Sequence, residues 1–312
     1  MMKKTKIIVV FLICFCLYNK AYSQNQIHIT QYMNHQPFIN PASIGSYENM
    51  NGALLYKTQW VGLEGAPQIG AFSINSPIGD SKNHLGLTVI NDKIGVRQDM
   101  DISGNYAYRM PISTKTNLTL GLSASLRLLQ GDFATINTTI DNDPLFQSNT
   151  STIPAANFKF GSYYNSERFY IGFAVPNLIK NTITTNDKAN SEFDFKDMHF
   201  YLHSGYYFPI NNVFDLKSSV LFKQVSGAPL QMDINSQVEF KRKFALGLSY
   251  RSSKEMVGLI SLELNSYIRL AYSYDYAFNE VNTVSSGTHE IMILFNFINI
   301  SAKKAVITAP RF

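Results

Sequence analysis

The 312-residue sequence carries 27 basic and 22 acidic side chains, a formal net charge of +5, and only two cysteines. Charged residues make up 16 % of the chain and aromatic residues 13 %, while the mean hydropathy is only −0.07. A disordered chain would be poorer in aromatic residues, a bundle of membrane helices would be more apolar, and a disulfide framework would need more cysteine, so a soluble β-rich protein or a membrane β-barrel remains.

Residues 1–23 form a predicted secretory signal peptide. Lys3, Lys4 and Lys6 precede an apolar run at 7–17, and Ala21-Tyr22-Ser23 provides a small-x-small cleavage site before Gln24. The apolar run is too short to cross a bilayer as a helix, which needs about 20 residues. The segment holds four of the 27 basic residues, none of the 22 acidic ones and both cysteines. The mature chain is therefore nearly neutral, which gives no reason to expect nucleic-acid binding, and it has no thiolate for a metal or for catalysis.

Residues 24–51 lack a clear alternation of apolar and polar side chains. They contain the turn-rich stretch Asn40-Pro41-Ala42-Ser43-Ile44-Gly45. Proline cannot donate to a strand ladder, and asparagine and glycine favour tight turns. We expect this segment to lie in the periplasm or to insert into the lumen of a barrel as a plug.

Period-2 alternation dominates the rest of the chain and predicts an all-β protein. Between 118 and 128, for example, leucine or alanine occupies every even position and a polar residue or glycine every odd one. A soluble sandwich would also alternate. However, segments of about 10–12 residues suit a tilted membrane strand better than a globular sheet, and aromatic residues often end the apolar face, as at lipid–water interfaces.

We therefore predict a transmembrane antiparallel β-barrel spanning 52–298. Its fourteen predicted strands are 52–62, 68–76, 84–91, 98–110, 117–129, 154–165, 168–176, 198–209, 213–225, 230–241, 243–252, 255–265, 266–278 and 288–298. The connections after even-numbered strands are all short, whereas the long ones, at 130–153, 177–197 and 279–287, follow odd-numbered strands. Short periplasmic turns and longer outer loops are typical of outer-membrane barrels. A tail at 299–312 follows the last strand and is expected in the periplasm.

Several charged residues fall on the polar face of the predicted strands. They are Arg109, Arg127, Arg251, Arg269, Asp233, Glu239 and Asp275. An Arg or Lys facing lipid near the midplane would cost about 2–4 kcal/mol, so these residues are expected to face the lumen. They would form either an ion-pair network that rigidifies the barrel or a seat for the N-terminal segment or a client peptide. Asp275 and Glu290 are the strongest candidates for lumen-facing residues.

The sequence offers little support for catalysis or for a metal site. His199 and His203 share a strand face, but four residues along a strand separate them by about 13 Å, so they cannot share one ion. Gly121-Leu122-Ser123-Ala124-Ser125 lacks the second glycine of a nucleophile turn, and no phosphate-binding glycine loop is present. We predict no enzyme activity, no cofactor and no metal, although an embedded hydrolase assembled from distant residues stays open.

Short motifs recur in order along the mature chain. They are Gln31-Tyr32-Met33, Asn40-Pro41-Ala42 with Gly45, Gln59-Trp60, Gly65-Ala66-Pro67, Tyr106-Ala107-Tyr108-Arg109, Gly227-Ala228-Pro229, Tyr250-Arg251, Tyr272-Ser273-Tyr274-Asp275 and Ser286-Gly287-Thr288-His289-Glu290. As an ordered set they resemble the signatures of the PorP/SprF family, with Ser218 as a departure where proline is expected. The resemblance implies an outer-membrane component of the type IX secretion system, linked to gliding motility and cell-surface adhesins.

The matched motifs supply the candidate partner-binding residues. They are Asn40, Pro41, Ala42, Trp60, Pro67, Tyr108, Arg109, Tyr250, Arg251, Asp275, His289 and Glu290. Trp60, the only tryptophan, is expected either to anchor the barrel at the lipid interface or to pack the following outer loop. The loops at 130–153 and 177–197 carry isolated aromatic residues, Phe133, Phe146, Phe193 and Phe195, in polar surroundings. Such loops suit protein recognition, although they would also fit an idle surface.

The resemblance implies that the barrel binds the C-terminal domain of a secreted adhesin and helps to export or retain it, with contacts to periplasmic ring proteins and to outer-membrane lipid. A passive channel for small solutes is the alternative. The motifs leave open whether the chain serves the core machinery or one adhesin, and whether its lumen is plugged.

Overall fold

The structure is a computed structural model that describes residues 28–79, 82–132, 134, 152–183 and 189–297. The predicted signal peptide, most of the predicted loop 130–153 and the predicted tail 299–312 lie outside the described residues. The strands are β1 Asn51–Thr58, β2 Gln68–Ile78, β3 Asn83–Ile94, β4 Arg97–Ser113, β5 Thr116–Gly131, β6 Ile153–Ser166, β7 Phe169–Val175, β8 Lys180–Ile183, β9 Ala189–Glu192, β10 His199–Pro209, β11 Phe214–Val225, β12 Gln231–Phe240, β13 Phe244–Arg251, β14 Glu255–Glu263, β15 Ile268–Ala277 and β16 Thr288–Asn296.

Fourteen of these strands close into one antiparallel barrel. Each pairs with its sequence neighbours, except that β7 pairs with β10 across a separate two-stranded hairpin of β8 and β9. The first and last strands close the cylinder, in register from Asn51 opposite Asn296 to Thr58 opposite His289. The predicted fourteen-stranded barrel is confirmed. Closure leaves no free sheet edge among the barrel strands, which is what a β-structure in a hydrocarbon environment requires.

Alternation along each strand separates an apolar outer face from a lumen. In β5, Leu120 and Leu122 are 43 % and 58 % exposed on the outside, whereas Thr119 and Ser123, which flank them in the sequence, are buried inside. Successive side chains of a strand lie on opposite faces, so the alternating sequence produces this division directly. Within the described residues, no helix is both long and apolar enough to cross a membrane.

The two ends of the barrel differ in the length of their connections. At the short-turn end, the strands are joined by two to four residues, for example 114–115 and 264–267. The long-loop end carries 59–67, 132–152, 176–198 and 278–287. The predicted first strand extended to residue 62, but β1 ends at Thr58 because Trp60 adopts a φ of +47° and the chain turns into a loop. The hairpin of β8 and β9 was not predicted, since four-residue strands show too little alternation to detect.

Residues 28–49 lie inside the barrel and are called the lumenal segment below. The segment contains two 3-10 helices, Gln36–Phe38 and Pro41–Ser46. It runs from the long-loop end, where Thr30 contacts Glu290 near the start of β16, to the short-turn end, where Glu48 pairs with Arg109 near the end of β4. The lumenal alternative for the N-terminal residues is therefore the one that the described part of the segment adopts.

Apolar residues of the wall also face the lumenal segment. Ile29 packs with Leu55, Ile69 and Met292, three buried residues on the lumen face of their strands. Such inward-facing apolar residues would be costly in a water-filled pore, but contact with the segment removes them from water.

The lipid-facing assignment predicts the effect of a buried charge. Leu248 is 60 % exposed in the middle of β13. Leu248→Arg should lower the free energy of unfolding of the barrel by about 2–4 kcal/mol, because the guanidinium would face hydrocarbon. Denaturant unfolding in lipid vesicles measures this cost. The matched change Leu264→Arg, 54 % exposed in a short turn, should cost about 1 kcal/mol or less. Equal costs at the two positions would contradict the membrane assignment of β13.

Candidate functional site

Three glycines on the lumen face of neighbouring strands make room for the turn at Asn40-Pro41-Ala42. They are Gly121 of β5, Gly161 of β6 and Gly172 of β7. A Cβ at Gly121 would meet the backbone of Pro41 and Ala42, and a Cβ at Gly161 or Gly172 would meet the Asn40 side chain. The wall thus lacks side chains at the positions where the lumenal segment approaches it most closely.

The Asn40 side chain joins this turn to the barrel wall. Its Oδ1 accepts a hydrogen bond of 2.9 Å from the Ala42 N–H and so caps the second 3-10 helix. Its Nδ2 donates to the Ser162 carbonyl at 3.1 Å and to His203 Nε2 at 3.0 Å. A buried amide pays a large penalty if it lacks partners, and here both ends of it are satisfied. Asn40 therefore fixes the start of the helix against β6 and β10.

At the long-loop end, Glu290 holds the backbone of the lumenal segment. Its two carboxylate oxygens each accept an N–H, one from Thr30 and one from Gln31, both at 2.9 Å. The Gln31 side chain returns a hydrogen bond of 3.2 Å to the Glu290 carbonyl. Lys57 of β1 lies 3.6 Å from the same carboxylate and donates to the His28 carbonyl at 2.9 Å. The carboxylate is fully buried, so these donors replace the water that it has lost.

Thr30 also binds a second carboxylate, through its hydroxyl. It donates to Asp275 at 2.8 Å and accepts from Lys57 at 2.8 Å and from Arg251 at 3.2 Å. Arg251 also lies 3.4 Å from Asp275 and is ion-paired with Glu255. A single hydroxyl of the lumenal segment thus bridges charged groups of β1, β13 and β15.

His28 completes this end of the network as a neutral group. Its side chain is 17 % exposed and lies among the cations Arg251, Lys223 and Lys57. Lys223 donates to Nδ1 at 2.7 Å, which leaves the proton on Nε2, 3.5 Å from the Asp233 carboxylate. A protonated His28 would face three cations, so the neutral form is favoured.

The formal charges of the side chains in this cluster do not sum to zero. The side chains are Lys57, Lys223 and Arg251 against Asp233, Glu255, Asp275 and Glu290. One of the four carboxylates, Glu290, also accepts hydrogen bonds from the backbone N–H groups of Thr30 and Gln31. The segment is therefore part of the electrostatic balance of the wall.

The short-turn end of the segment has its own attachment. Arg109 of β4 pairs with Glu48 and donates to the Gly45 carbonyl at 3.5 Å. His84 Nε2 lies 3.1 Å from the Tyr47 carbonyl. Midway, the Tyr32 hydroxyl accepts from Asn235 at 2.8 Å. The segment is consequently tied to the wall at both ends and at its centre.

The lumenal segment divides the remaining space in the barrel into two chambers. The long-loop chamber contains about 1,030 Å³ of empty space and the short-turn chamber about 980 Å³, in each case including the open mouth. No residue lines both. The division falls within the first 3-10 helix, because Gln36 lines the short-turn chamber and Pro37 and Phe38 line the long-loop chamber.

The long-loop chamber is lined by charges of both signs. Asp101 lies 2.9 Å from Lys159 and 3.7 Å from Arg127, and Arg97 pairs with Asp99. Arg97 and Arg127 also line an adjoining cleft of about 1,000 Å³ next to the β8–β9 hairpin. The chamber therefore continues toward the outer loops.

The candidate residues from the sequence fall into three places. Asn40, Pro41, Ala42, Arg109, Arg251, Asp275 and Glu290 meet in the lumen, as described above. Tyr108 and Tyr250 are 41 % and 47 % exposed on the outer face, and His289 also lies there, with its Nδ1 2.8 Å from the Tyr272 hydroxyl. Trp60 and Pro67 lie in the β1–β2 loop, where the Trp60 N–H donates to Thr288 Oγ1 at 3.1 Å.

The sequence did not point to Lys57, Thr30 or Glu48, nor to the three glycines that make room for the turn at Asn40, which are called the glycine seat below. Lys57 lies on the lumen face of a predicted strand, and the three seat glycines do so as well, so alternation alone marked them as inward-facing. It gave no sign of which of them meet the N-terminal residues. Among the described residues, no group of three or more His, Cys, Asp or Glu side chains is placed to hold a metal ion.

Comparison with known proteins identifies the family and the fold. The family model described as type IX secretion system membrane protein PorP/SprF matches residues 21–295. Among solved structures, the monoaromatic hydrocarbon channel CymD is similar with a TM-score of 0.54 and 10 % identity, covering 87 % of this chain and 94 % of that chain. No curated protein matches the chain.

Two further barrels align with lower scores. The toluene transporter TbuX of Ralstonia pickettii has a TM-score of 0.45 and 11 % identity, covering 86 % of this chain and 94 % of that one. The outer membrane protein Omp33 of Acinetobacter baumannii has a TM-score of 0.44 and 9 % identity, covering 80 % and 98 %. At such identities the likeness concerns the barrel fold alone.

The glycine seat predicts the effect of a single side chain. In Gly161→Val, the new side chain would overlap Asn40 and Ala42, so we expect the lumenal segment to leave its seat and the barrel to conduct ions. Planar-bilayer recordings should show several-fold more current than for the wild type. Gly104→Val is the matched control, because a Cβ at Gly104 has nothing within 4 Å. A Gly161→Val barrel as closed as the wild type would disprove the seat.

The carboxylate at Glu290 predicts a change in the stability of the segment. Glu290→Gln removes a buried anion from Lys57 and from two N–H groups, which should cost about 3 kcal/mol. Hydrogen exchange at the Thr30 and Gln31 amides should then speed up by about 100-fold, and adding Lys57→Met should recover part of the loss. The control Glu263→Gln, in a partly exposed pair with Arg269, should change exchange less than about fivefold. Unchanged protection in Glu290→Gln would show that this carboxylate does not hold the segment.

Proposed function

Because this chain belongs to the PorP/SprF family of type IX secretion system membrane proteins, we propose that it binds a secreted adhesin through the adhesin's C-terminal domain and helps to export or retain it at the cell surface. The family match covers most of the mature chain. Together with a closed barrel whose outer face is apolar, it identifies an outer-membrane component of this secretion system. The adhesin as partner, and a role without catalysis, are the proposal.

The filled lumen is the observation that most favours binding over passive conduction. The lumenal segment is held by Glu290 and Asp275 at one end and by Arg109 at the other, and it separates two chambers that share no lining residue. A channel for small solutes would need a continuous water-filled path. The arrangement therefore supports a component that acts through its surfaces, and the passive channel is the less favoured alternative.

The long-loop end offers the surface that suits a protein partner. Outer-membrane barrels carry their longer loops on the outside, and the β8–β9 hairpin stands in the longest described connection. Directly after it, Phe193 and Phe195 are 60 % and 70 % exposed, with their rings 4.8 Å apart and nearly perpendicular. Aromatic side chains are typical hot spots of protein interfaces.

Charged groups surround this aromatic pair. Lys180 forms ion pairs with Glu192, Asp194 and Asp197, which places charged groups of both signs beside the two rings. The adjoining cleft carries Arg97 and Arg127. An apolar centre with charges of both signs at its rim matches the anatomy of a specific protein interface.

The short-turn end would face the periplasm in this orientation. We propose that it contacts periplasmic ring proteins of the same machinery, while the apolar outer face contacts outer-membrane lipid. The lumenal segment reaches this end at Tyr47 and Glu48, so a periplasmic partner would meet the segment as well as the turns.

The aromatic pair gives the test of the proposed adhesin contact. In cells, Phe193→Ser combined with Phe195→Ser should lower surface display of the adhesin at least about tenfold, because exposed hot-spot rings are lost while the barrel wall is untouched. Immunolabelling of intact cells measures display. A strain that lacks the whole protein gives the reference for complete loss of display, and its permeability should be unchanged. Leu264 is also apolar and is 54 % exposed, but it lies at the other end of the barrel. Leu264→Ser should therefore leave display unaltered. Normal display in the double variant would refute the proposed contact at the aromatic pair. Normal display in the deletion strain would refute the proposed role in adhesin display.

A further inference from the structure

The β12–β13 turn at the short-turn end consists of three consecutive cations, Lys241, Arg242 and Lys243. All three side chains are exposed. The turns that flank it along the rim, at 210–213 and 264–267, contain no charged residue. Positive charge on this side of the rim is therefore concentrated in a single turn.

The backbone of this turn is strained for the residues that form it. Lys241 and Arg242 have φ values of +48° and +57°, in the left-handed region that glycine and asparagine adopt most readily. Within the part of the chain that the structure describes, no other two adjacent non-glycine residues both have a positive φ. Glycine or asparagine would relax the turn, so folding alone gives no reason for two cations at these positions.

Two of the three cations have no carboxylate partner. Arg242 Nε lies 3.6 Å from the Asp215 carboxylate, but Lys241 and Lys243 form no ion pair with any residue that the structure describes. In the β4–β5 turn at the same end, by contrast, the single lysine is paired with Glu167 at 3.6 Å. The β12–β13 turn thus presents two ammonium groups that no described carboxylate neutralises.

Lipid-facing aromatic rings adjoin these ammonium groups. Phe214 and Phe240 are 40 % and 39 % exposed on the outer face, and their ring centroids are 5.4 Å apart. Lys241 Nζ lies 5.2 Å from the centre of the Phe240 ring, which is within the range of a cation–π contact. The ammonium group is therefore held at the edge of the apolar face, where lipid headgroups begin in a bilayer.

The turn is fixed in position by its neighbours on the rim. The Lys241 N–H donates to the Val213 carbonyl at 2.7 Å, and the Lys243 carbonyl accepts from the Glu263 N–H at 2.7 Å. Ile210 and Leu264, in the turns to either side, are exposed apolar residues. An apolar surface thus continues to the rim on both sides of the cations.

We infer that the β12–β13 turn binds the phosphate group of an anionic phospholipid in the leaflet at the short-turn end. Lys241 and Lys243 supply the charge, and Phe214 and Phe240 contact the acyl chains of the same molecule. An acidic protein segment would match the two charges but not the lipid-facing rings beside them. The inference refines the lipid contact proposed above and needs only an inserted barrel, so it can fail while adhesin binding holds, and the reverse.

A tryptophan placed beside the turn reports which lipid is bound there. In the full-length barrel, Phe214→Trp is combined with Trp60→Phe, which removes the only natural tryptophan. The protein is reconstituted into phosphatidylcholine vesicles that contain either phosphatidylglycerol or phosphatidylcholine with brominated acyl chains, which quench tryptophan on contact. We expect the association constant at the reporter to be at least about threefold larger for phosphatidylglycerol than for phosphatidylcholine. This ratio should fall toward one at about 1 M salt, where the Debye length is about 3 Å.

Removal of the two unpaired lysines should abolish the preference. In the reporter protein, Lys241→Gln combined with Lys243→Gln should lower the ratio below about 1.5, because glutamine keeps the polar character of the turn without its charge. The matched control is Lys93→Gln combined with Lys254→Gln, which removes two exposed lysines at the long-loop end. Its ratio should stay within about 1.5-fold of that of the reporter protein, since neither lysine lies near Phe214.

Four results would overturn the inference. The first two are equal quenching by the two lipids in the reporter protein and a preference that survives the loss of Lys241 and Lys243. The third is a preference that disappears when inorganic phosphate is added at matched ionic strength, which would assign the turn to a soluble anion. The fourth is the absence of a lipid preference together with binding of polyglutamate that the two lysine substitutions abolish, which would assign the turn to an acidic protein segment.

Discussion

The pairing of every backbone polar group in a medium without water is the constraint on which this structure depends. A β-sheet meets it in hydrocarbon only by closing on itself, as β1 and β16 do from Asn51 opposite Asn296 to Thr58 opposite His289. Closure then forces half of all strand residues into an interior. Because the side-chain period of a strand is two, the sequence that coats the outside with leucine and tyrosine also fills the inside with polar and charged groups.

A polar interior of this kind is costly unless its groups find partners. Buried charges such as Lys57, Glu290 and Asp275 are stabilised here partly by one another and partly by the lumenal segment, whose Thr30 and Gln31 amides meet the Glu290 carboxylate. The segment also covers inward-facing apolar residues such as Leu55 and Met292. It acts as the core of the barrel, and the two chambers are the space that it leaves at each end. The segment thus fills part of the lumen, and the surfaces at the two ends carry the proposed functions.

The sequence correctly predicted those features of the fold that depend only on residues close to one another in the chain. Alternation gave fourteen strands and their facing directions, since each position needs only its two neighbours to be assigned to lipid or lumen. It was wrong at the end of β1, where the backbone of Trp60 turns, and it missed β8 and β9, which are too short to show a period. The ordered motifs pointed to the PorP/SprF family, which the family match over 21–295 confirms.

The sequence by itself determined the barrel, its inside and outside, and the inward direction of Arg109, Arg251, Asp275 and Glu290. The outer-face position of Tyr108 and Tyr250 also follows from alternation. Only the tertiary structure decided that Asn40 lies against Gly161 and that Thr30 joins Asp275 to Lys57. The physical reason is the distance along the chain. Contacts between residues 30 and 290 depend on how the closed cylinder positions its wall around the segment, and no local pattern encodes that separation.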